Sequence, residues 1–258
     1  MIRYSPVLGL LLLCCATVLS QEIPLAPKDP NGVIVSLTQT MPVGGGYSAS
    51  ASATRHLQSA VQVQAGRLRV DPAAAPMTYC SGATYLVFVQ AIKYLVPESH
   101  FGTSLAQALA IKGQPDGVGI WGRWNANGPG TACLFRELQL GRNFTSFDEA
   151  RPGDFLKIFW NTAVGRREHG HSVIYLGRAV VNGVEQVRFW SSNQPGGYGA
   201  KEVPRPRIAY AIFSRLEVPA NIEHSISLSP RNSYLASLTT KESSISEALA
   251  ESGVADGE

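Results

Sequence analysis

The sequence predicts an α+β fold in which N-terminal helices pack on an antiparallel sheet. Apolar residues recur at helical spacing before residue 150, and short apolar runs separated by turn residues follow Pro152. Asn182-Gly183, a strong hairpin signal, lies between two of those runs. Helices first and hairpins afterwards segregate the two element types, unlike an alternating βαβ chain.

The chain has 258 residues, 45% hydrophobic and 16% charged, which is enough for a sizeable core and excludes a wholly disordered chain. A formal charge of +3, with no run of basic residues, gives no footprint for nucleic acid.

Taken in order, residues 1–20 carry Arg3, an apolar run from Val7 to Leu19 and the ending Val18-Leu19-Ser20. That is the pattern of a secretory signal peptide, and the run is too short for a membrane span of about 20 residues. The expectation is an exported protein, secreted or periplasmic, with no membrane partner once the signal and its Cys14 and Cys15 are removed. Residues 21–75 read as an N-terminal arm and short helix: prolines and Gly44-Gly45-Gly46 suggest an extended arm over 21–46. A modest helical period then covers Ser48 to Gln64.

Cys80 to Val96 predicts one buried helix, with Tyr85, Val89, Ile92 and Leu95 at helical spacing and Pro97 ending it. Thr103 and Ser104 can cap a helix running to Ile111. Residues 113–130 read as a long loop holding Trp121 and Trp124, which either line a substrate groove or anchor the loop. A short helix follows from Thr131 to Leu140. Strands are expected over Phe155–Trp160, His171–Leu176, Glu185–Ser192 and Ile208–Leu216. Residues 217–258 hold seven acidic and two basic side chains with nine serines, and predict an acidic tail that is either mobile or a weak helix over Ser244 to Glu251.

Chemistry concentrates around Cys80. At a helix start a thiolate gains from the dipole and from free N–H groups, which can also hold an oxyanion. A three-residue loop centred on Asn182 sets His171 across from Asn193, whereas a two-residue Asn182-Gly183 turn sets it across from Gln194. Either amide can fix the tautomer of the ring. Thiol, imidazole and amide make a Cys-His-Asn arrangement suited to acyl transfer. The competing reading pairs Cys80 with Cys133 in a disulfide, as two cysteines in an oxidising compartment often do. No metal site is expected, since nothing well spaced completes one around His169 and His171.

These residues also resemble a family. Tyr79-Cys80-Ser81-Gly82 before an apolar helix, Arg151-Pro152-Gly153-Asp154-Phe155-Leu156 opening a strand, and Gly170-His171-Ser172-Val173-Ile174-Tyr175-Leu176-Gly177 together are similar to the NlpC/P60 superfamily, including its CHAP amidase branch, within the papain-like fold. The resemblance covers roughly residues 76–216. It implies a catalytic domain over that span that cuts amide bonds in the peptide stems of peptidoglycan without a cofactor. Cys80 would be the nucleophile, His171 the base and Asn193 the orienting residue. Tyr79 stands where many members carry Asp; it either offers its phenol to the oxyanion or packs. Substrate contacts are expected from Tyr79, Trp121 and Trp124. The alternative is a cell-wall-binding module of the same fold, without turnover, carrying the Cys80–Cys133 disulfide.

Overall fold

A computed structural model describes residues 29–254; the expected signal peptide, the first residues of the arm and the last four residues lie outside that range. The chain is a mixed α+β protein built on a seven-stranded antiparallel sheet.

The N-terminal region is more ordered than an arm. Helix α1 spans Pro30–Thr38, because Asp29 caps it by accepting from the N–H groups of Asn31 (3.2 Å) and Gly32 (3.0 Å) and Pro30 suits the first helical position. Strand β1 is Gly44–Gly45, and α2 covers Ala51–Ala60 behind its Ser50 cap. The helix expected to reach Gln64 stops at Ala60. There β2 (Val61–Gln64) and β3 (Arg67–Val70) form a hairpin whose Ala65-Gly66 turn has positive φ at both residues. Alternation in Val-Gln-Val-Gln outweighs the helical period over those four residues.

Helix α3 spans Cys80–Leu95 and lies against the sheet, followed by α4 (Thr103–Leu109), α5 (Gly119–Trp124) and α6 (Gly130–Leu138). Helix α5 occupies the stretch expected to be a loop. It is anchored by Arg123, fully buried, which donates to the carbonyls of Gly117, Gly119 and Ser229 and pairs with Glu137 at 2.6 Å.

The remaining elements are β4 (Gly141–Phe144), β5 (Phe155–Phe159), β6 (Val164–Gly165), β7 (Gly170–Val181), β8 (Val184–Asn193), β9 (Gly197–Pro204), β10 (Tyr210–Leu216), α7 (Ser233–Ser237), β11 (Glu242–Ser243) and α8 (Ile245–Ser252). The large sheet runs β1-β9-β8-β7-β5-β10-β4. One core cluster lies between α3 and the sheet, where Phe88, Trp124, Phe135 and Phe155 meet; a second, around Phe144, Leu156, Val173 and Phe213, lies apart from it. No helix of the described residues is long and apolar enough to cross a membrane.

Gly153-Asp154 proves to be a structural clasp. Asp154, wholly buried, accepts from Arg215 (2.9 and 2.7 Å), from Asn31 of α1 (2.9 Å) and from the Arg151 N–H (2.7 Å). Gly153 has φ +97°, and a Cβ there would meet the Asn31 backbone at 2.4 Å, so only glycine lets α1 dock.

The tail is packed at least to Val254, and of the two expectations for it the helix is the one that matches, as α8. Leu235, Leu238, Ala248 and Val254 bury against Cys133, Ala126 and Ile212, and β11 pairs with β6. Apolar residues at helical spacing outweigh the Ser-rich, acidic composition. Arg136 holds the carbonyls of Ala250 and Glu251 at the end of α8.

Candidate active site

Cys80 is the first residue of α3, half-buried at a cleft, where the first helical N–H groups lack intrahelical partners. The approach to it is stitched to the far end of the sheet. Ser192 Oγ donates to the Thr78 carbonyl at 2.8 Å and Tyr198 Oη to the Ala75 carbonyl at 2.8 Å. From the other side, Ser48 N–H donates to the same Thr78 carbonyl at 3.0 Å. Gly45, with φ +79°, passes so near Pro76 that any Cβ would strike its carbonyl oxygen, so only glycine fits there. These ties set Tyr47 beside Cys80, its hydroxyl donating toward Sγ at 4.0 Å.

His171 stands near the start of β7. Its Nε2 faces Asn193 Oδ1 at 3.2 Å. The Asn193 amide has no choice of orientation, because its Nδ2 donates to the carbonyls of Gly199 (2.8 Å) and Ser191 (3.2 Å). Oδ1 therefore accepts, Nε2 carries the proton, and Nδ1 keeps a lone pair for the thiol. Asn193 is 7% exposed, so little water competes for that bond.

The choice between Asn193 and Gln194 is made by a bulge. The hairpin turn has two residues, with Val181 paired to Val184, and that register alone would lead to Gln194. Between Gly177 and Tyr175 the ladder slips by one residue at Leu176, and beyond it Tyr175 pairs with Phe189 and Ile174 with Trp190. Continued to the strand end, this sets His171 across from Asn193.

Burial pushes the Cys80 thiol up, but the hydrogen bond and charge of His171, the Ser172 backbone and the Lys157 ammonium outweigh it, lowering the pKa to about 6. Burial and the neighbouring Cys80 together hold the Tyr47 hydroxyl well above its ordinary range, so it stays a proton donor. Lys157, on β5, pairs with Glu168 at 2.5 Å, and Glu168 Oε2 also accepts from the Gly128 N–H at 2.6 Å and the Gly165 N–H at 3.2 Å.

Tyr79 lines the cleft beside Cys80 yet is largely buried, packed on Trp121 at 6.4 Å between ring centroids. Burial raises its phenol pKa, opposed by a hydrogen bond with the Thr54 side chain. The expectation that Trp121 and Trp124 contact substrate is overturned, since each is only 1% exposed. Both rings pack against Tyr85, and Trp124 Nε1 donates to the Ser81 carbonyl at 3.1 Å, bracing the first turn of α3 from beneath. The disulfide alternative fails as well: both cysteines are free, and Cys133 is 1% exposed beneath α8. Burial raises its pKa far above the ordinary thiol range.

Tyr47, Lys157 and Glu168 escaped the sequence reading. Lys157 left a trace as the lone charge inside the apolar run Phe155–Phe159. Glu168 left none. His169 lines the cleft, and among the described residues no three His, Cys, Asp or Glu side chains cluster as metal ligands.

The chain matches no family model, no curated protein and no solved structure.

Proposed function

We propose that the protein is an exported cysteine amidase or endopeptidase of papain-like type, acting on amide bonds in peptidoglycan stem peptides. The observation that carries this reading is the Asn193 amide, locked by two backbone carbonyls so that it holds the His171 ring with Nδ1 free for an activated Cys80 thiol.

Cys80 Sγ, a thiolate once its proton has passed to His171 Nδ1, attacks the substrate carbonyl. The resulting oxyanion is met by the first N–H groups of α3, with the Tyr47 hydroxyl alongside. His171 then protonates the leaving nitrogen, the C–N bond breaks and a thioester remains. Water, deprotonated by the same imidazole, attacks the thioester; the S–C bond breaks and a carboxylic acid leaves. Asn193 acts through His171, keeping the ring in one tautomer. The choice of peptidoglycan rests on the motif resemblance and on an excess of basic side chains over residues 21–216, 19 against 12 acidic, which suits an anionic wall.

The test is digestion of purified peptidoglycan by the mature full chain, with released peptides read by mass spectrometry. Cys80→Ala and His171→Ala should each abolish release. Retention of full activity by Cys80→Ala would overturn the assignment.

A further inference from the structure

The two sides of the cleft differ in charge. On the thiol side, Cys80, Ser81, Asn125 and Asn127 border a cavity of about 400 Å³ whose charged pair, Lys157 and Glu168, is internally neutralised. On the imidazole side, a second cavity of about 430 Å³ is bordered by Trp160, His169, His171, Lys201 and Arg207. Glu168 reaches this side also, but its carboxylate is committed to Lys157 and to two backbone N–H groups. Tyr47 is the other titratable side chain there, held as a neutral phenol.

Arg207 and Lys201 are both exposed, and among the described residues neither has an ion-pair partner. The Arg207 guanidinium lies over the Trp160 ring, 5.6 Å from its centroid, which orients the group while leaving its N–H edge available. Lys201 Nζ donates to the Gln194 carbonyl at 3.3 Å, tethering a second cation on the same side.

Chemistry fixes which half of a substrate meets these cations. The imidazole must deliver a proton to the departing nitrogen, so the amine half of the scissile amide lies on the His171 side and the acyl half on the Cys80 side. Building on the amidase reading, we propose that the imidazole side of the cleft is an anion-recognising subsite in which Arg207 and Lys201 hold a carboxylate on the leaving half of the substrate. The preferred substrates are then amides whose amine component is a residue with a free carboxylate near the scissile bond.

Two affinity labels separate this proposal from the reading beneath it. N-bromoacetyl-alanine and N-bromoacetyl-alaninamide present the same electrophilic carbon to Cys80; in each the S–C bond forms as bromide leaves, and only the first carries an anion beyond the amide. The full chain is labelled with each, and the ratio of rates, acid over amide, is followed by intact mass. In the wild type the ratio should exceed one. It should fall about threefold at low ionic strength in the Arg207→Ala, Lys201→Ala double variant, with the difference shrinking as salt is added. Arg207→Lys with Lys201 intact should keep the wild-type ratio. The same ratio in the double variant as in the wild type would overturn the subsite. Labelling of Cys80 by both reagents no faster than an ordinary thiol would instead overturn the amidase reading.

Discussion

His171 Nε2 and Asn193 Oδ1 lie 3.2 Å apart because β7 carries one residue more than β8 between the hairpin turn and the site. The extra residue, at Leu176, turns a register that would favour Gln194 into one that favours Asn193. Asn193 is also the amide whose Nδ2 is claimed by neighbouring carbonyls, so register and orientation agree.

Asn193→Ala should therefore lower kcat on the order of tenfold to a hundredfold and leave residual activity, because His171 and Cys80 remain. Gln194→Ala should change kcat by less than about threefold, since its backbone carbonyl still receives Lys201. Steady-state kinetics on peptidoglycan fragments separates the two, and equal losses would contradict the bulged register.

The pH dependence follows from Cys80. Its pKa is lowered to about 6, so the thiolate is populated above that pH and lost as pH falls through it. Alkylation by iodoacetamide should rise through an inflection near pH 6, and kcat/KM should fall on the acid side of the same point. In His171→Ala the largest lowering influence is gone while burial remains, so the inflection should move upward.

Selectivity between the two thiols gives a third expectation. Cys133, beneath α8 with its pKa raised, should stay unlabelled in the native protein while Cys80 reacts completely. Peptide mapping before and after denaturation reads this directly; labelling of Cys133 under native conditions would mean that α8 opens.

Trp124→Ala should destabilise the fold by about 3–5 kcal/mol, as expected for loss of a fully buried ring from a core. Denaturant unfolding measures it. Trp124→Phe keeps most of the volume but removes the N–H donated to the Ser81 carbonyl, costing about 1 kcal/mol. A groove-lining role would have predicted a change in KM with little change in stability.

Asp154→Ala leaves the buried Arg215 guanidinium without its carboxylate and releases Asn31 of α1, and should cost about 3–5 kcal/mol. The expected signature is a lower unfolding midpoint, with Cys80 still reactive in the fraction that remains folded.

Much of this architecture is legible in the sequence where local pattern and tertiary context agree. The helix from Cys80, bounded by its apolar period and Pro97, is one case, and the strand opening at Phe155 is another. Legibility fails where long-range pairing decides. Strand β9 exists because β8 and Gly44-Gly45 flank it, and Val164–Gly165 is a strand only because Glu242–Ser243 pairs with it. The same holds at the site. Cys80 and His171 announce themselves by residue type, whereas the choice of Asn193 depended on a bulge, and Tyr47 and Glu168 reach the cleft from segments with no chemical signature. Trp121 and Trp124 mislead in the opposite direction, because large aromatics serve cores and grooves alike.

The stitching of residues 75–78 to Ser192 and Tyr198 has a kinetic consequence. The groups that lower the Cys80 pKa, namely His171, Ser172 and Lys157, are all far along the chain from the sulfur, and the loop carrying Glu168 is braced by β11 near the C-terminal end. Contacts of such sequence separation form slowly, over milliseconds to seconds, and only after the participating strands have been synthesised. Until then the sulfur is an ordinary, mostly protonated thiol. A ribosome-bound or truncated chain is thus chemically quiet, and the activated thiol emerges only when the last strands dock.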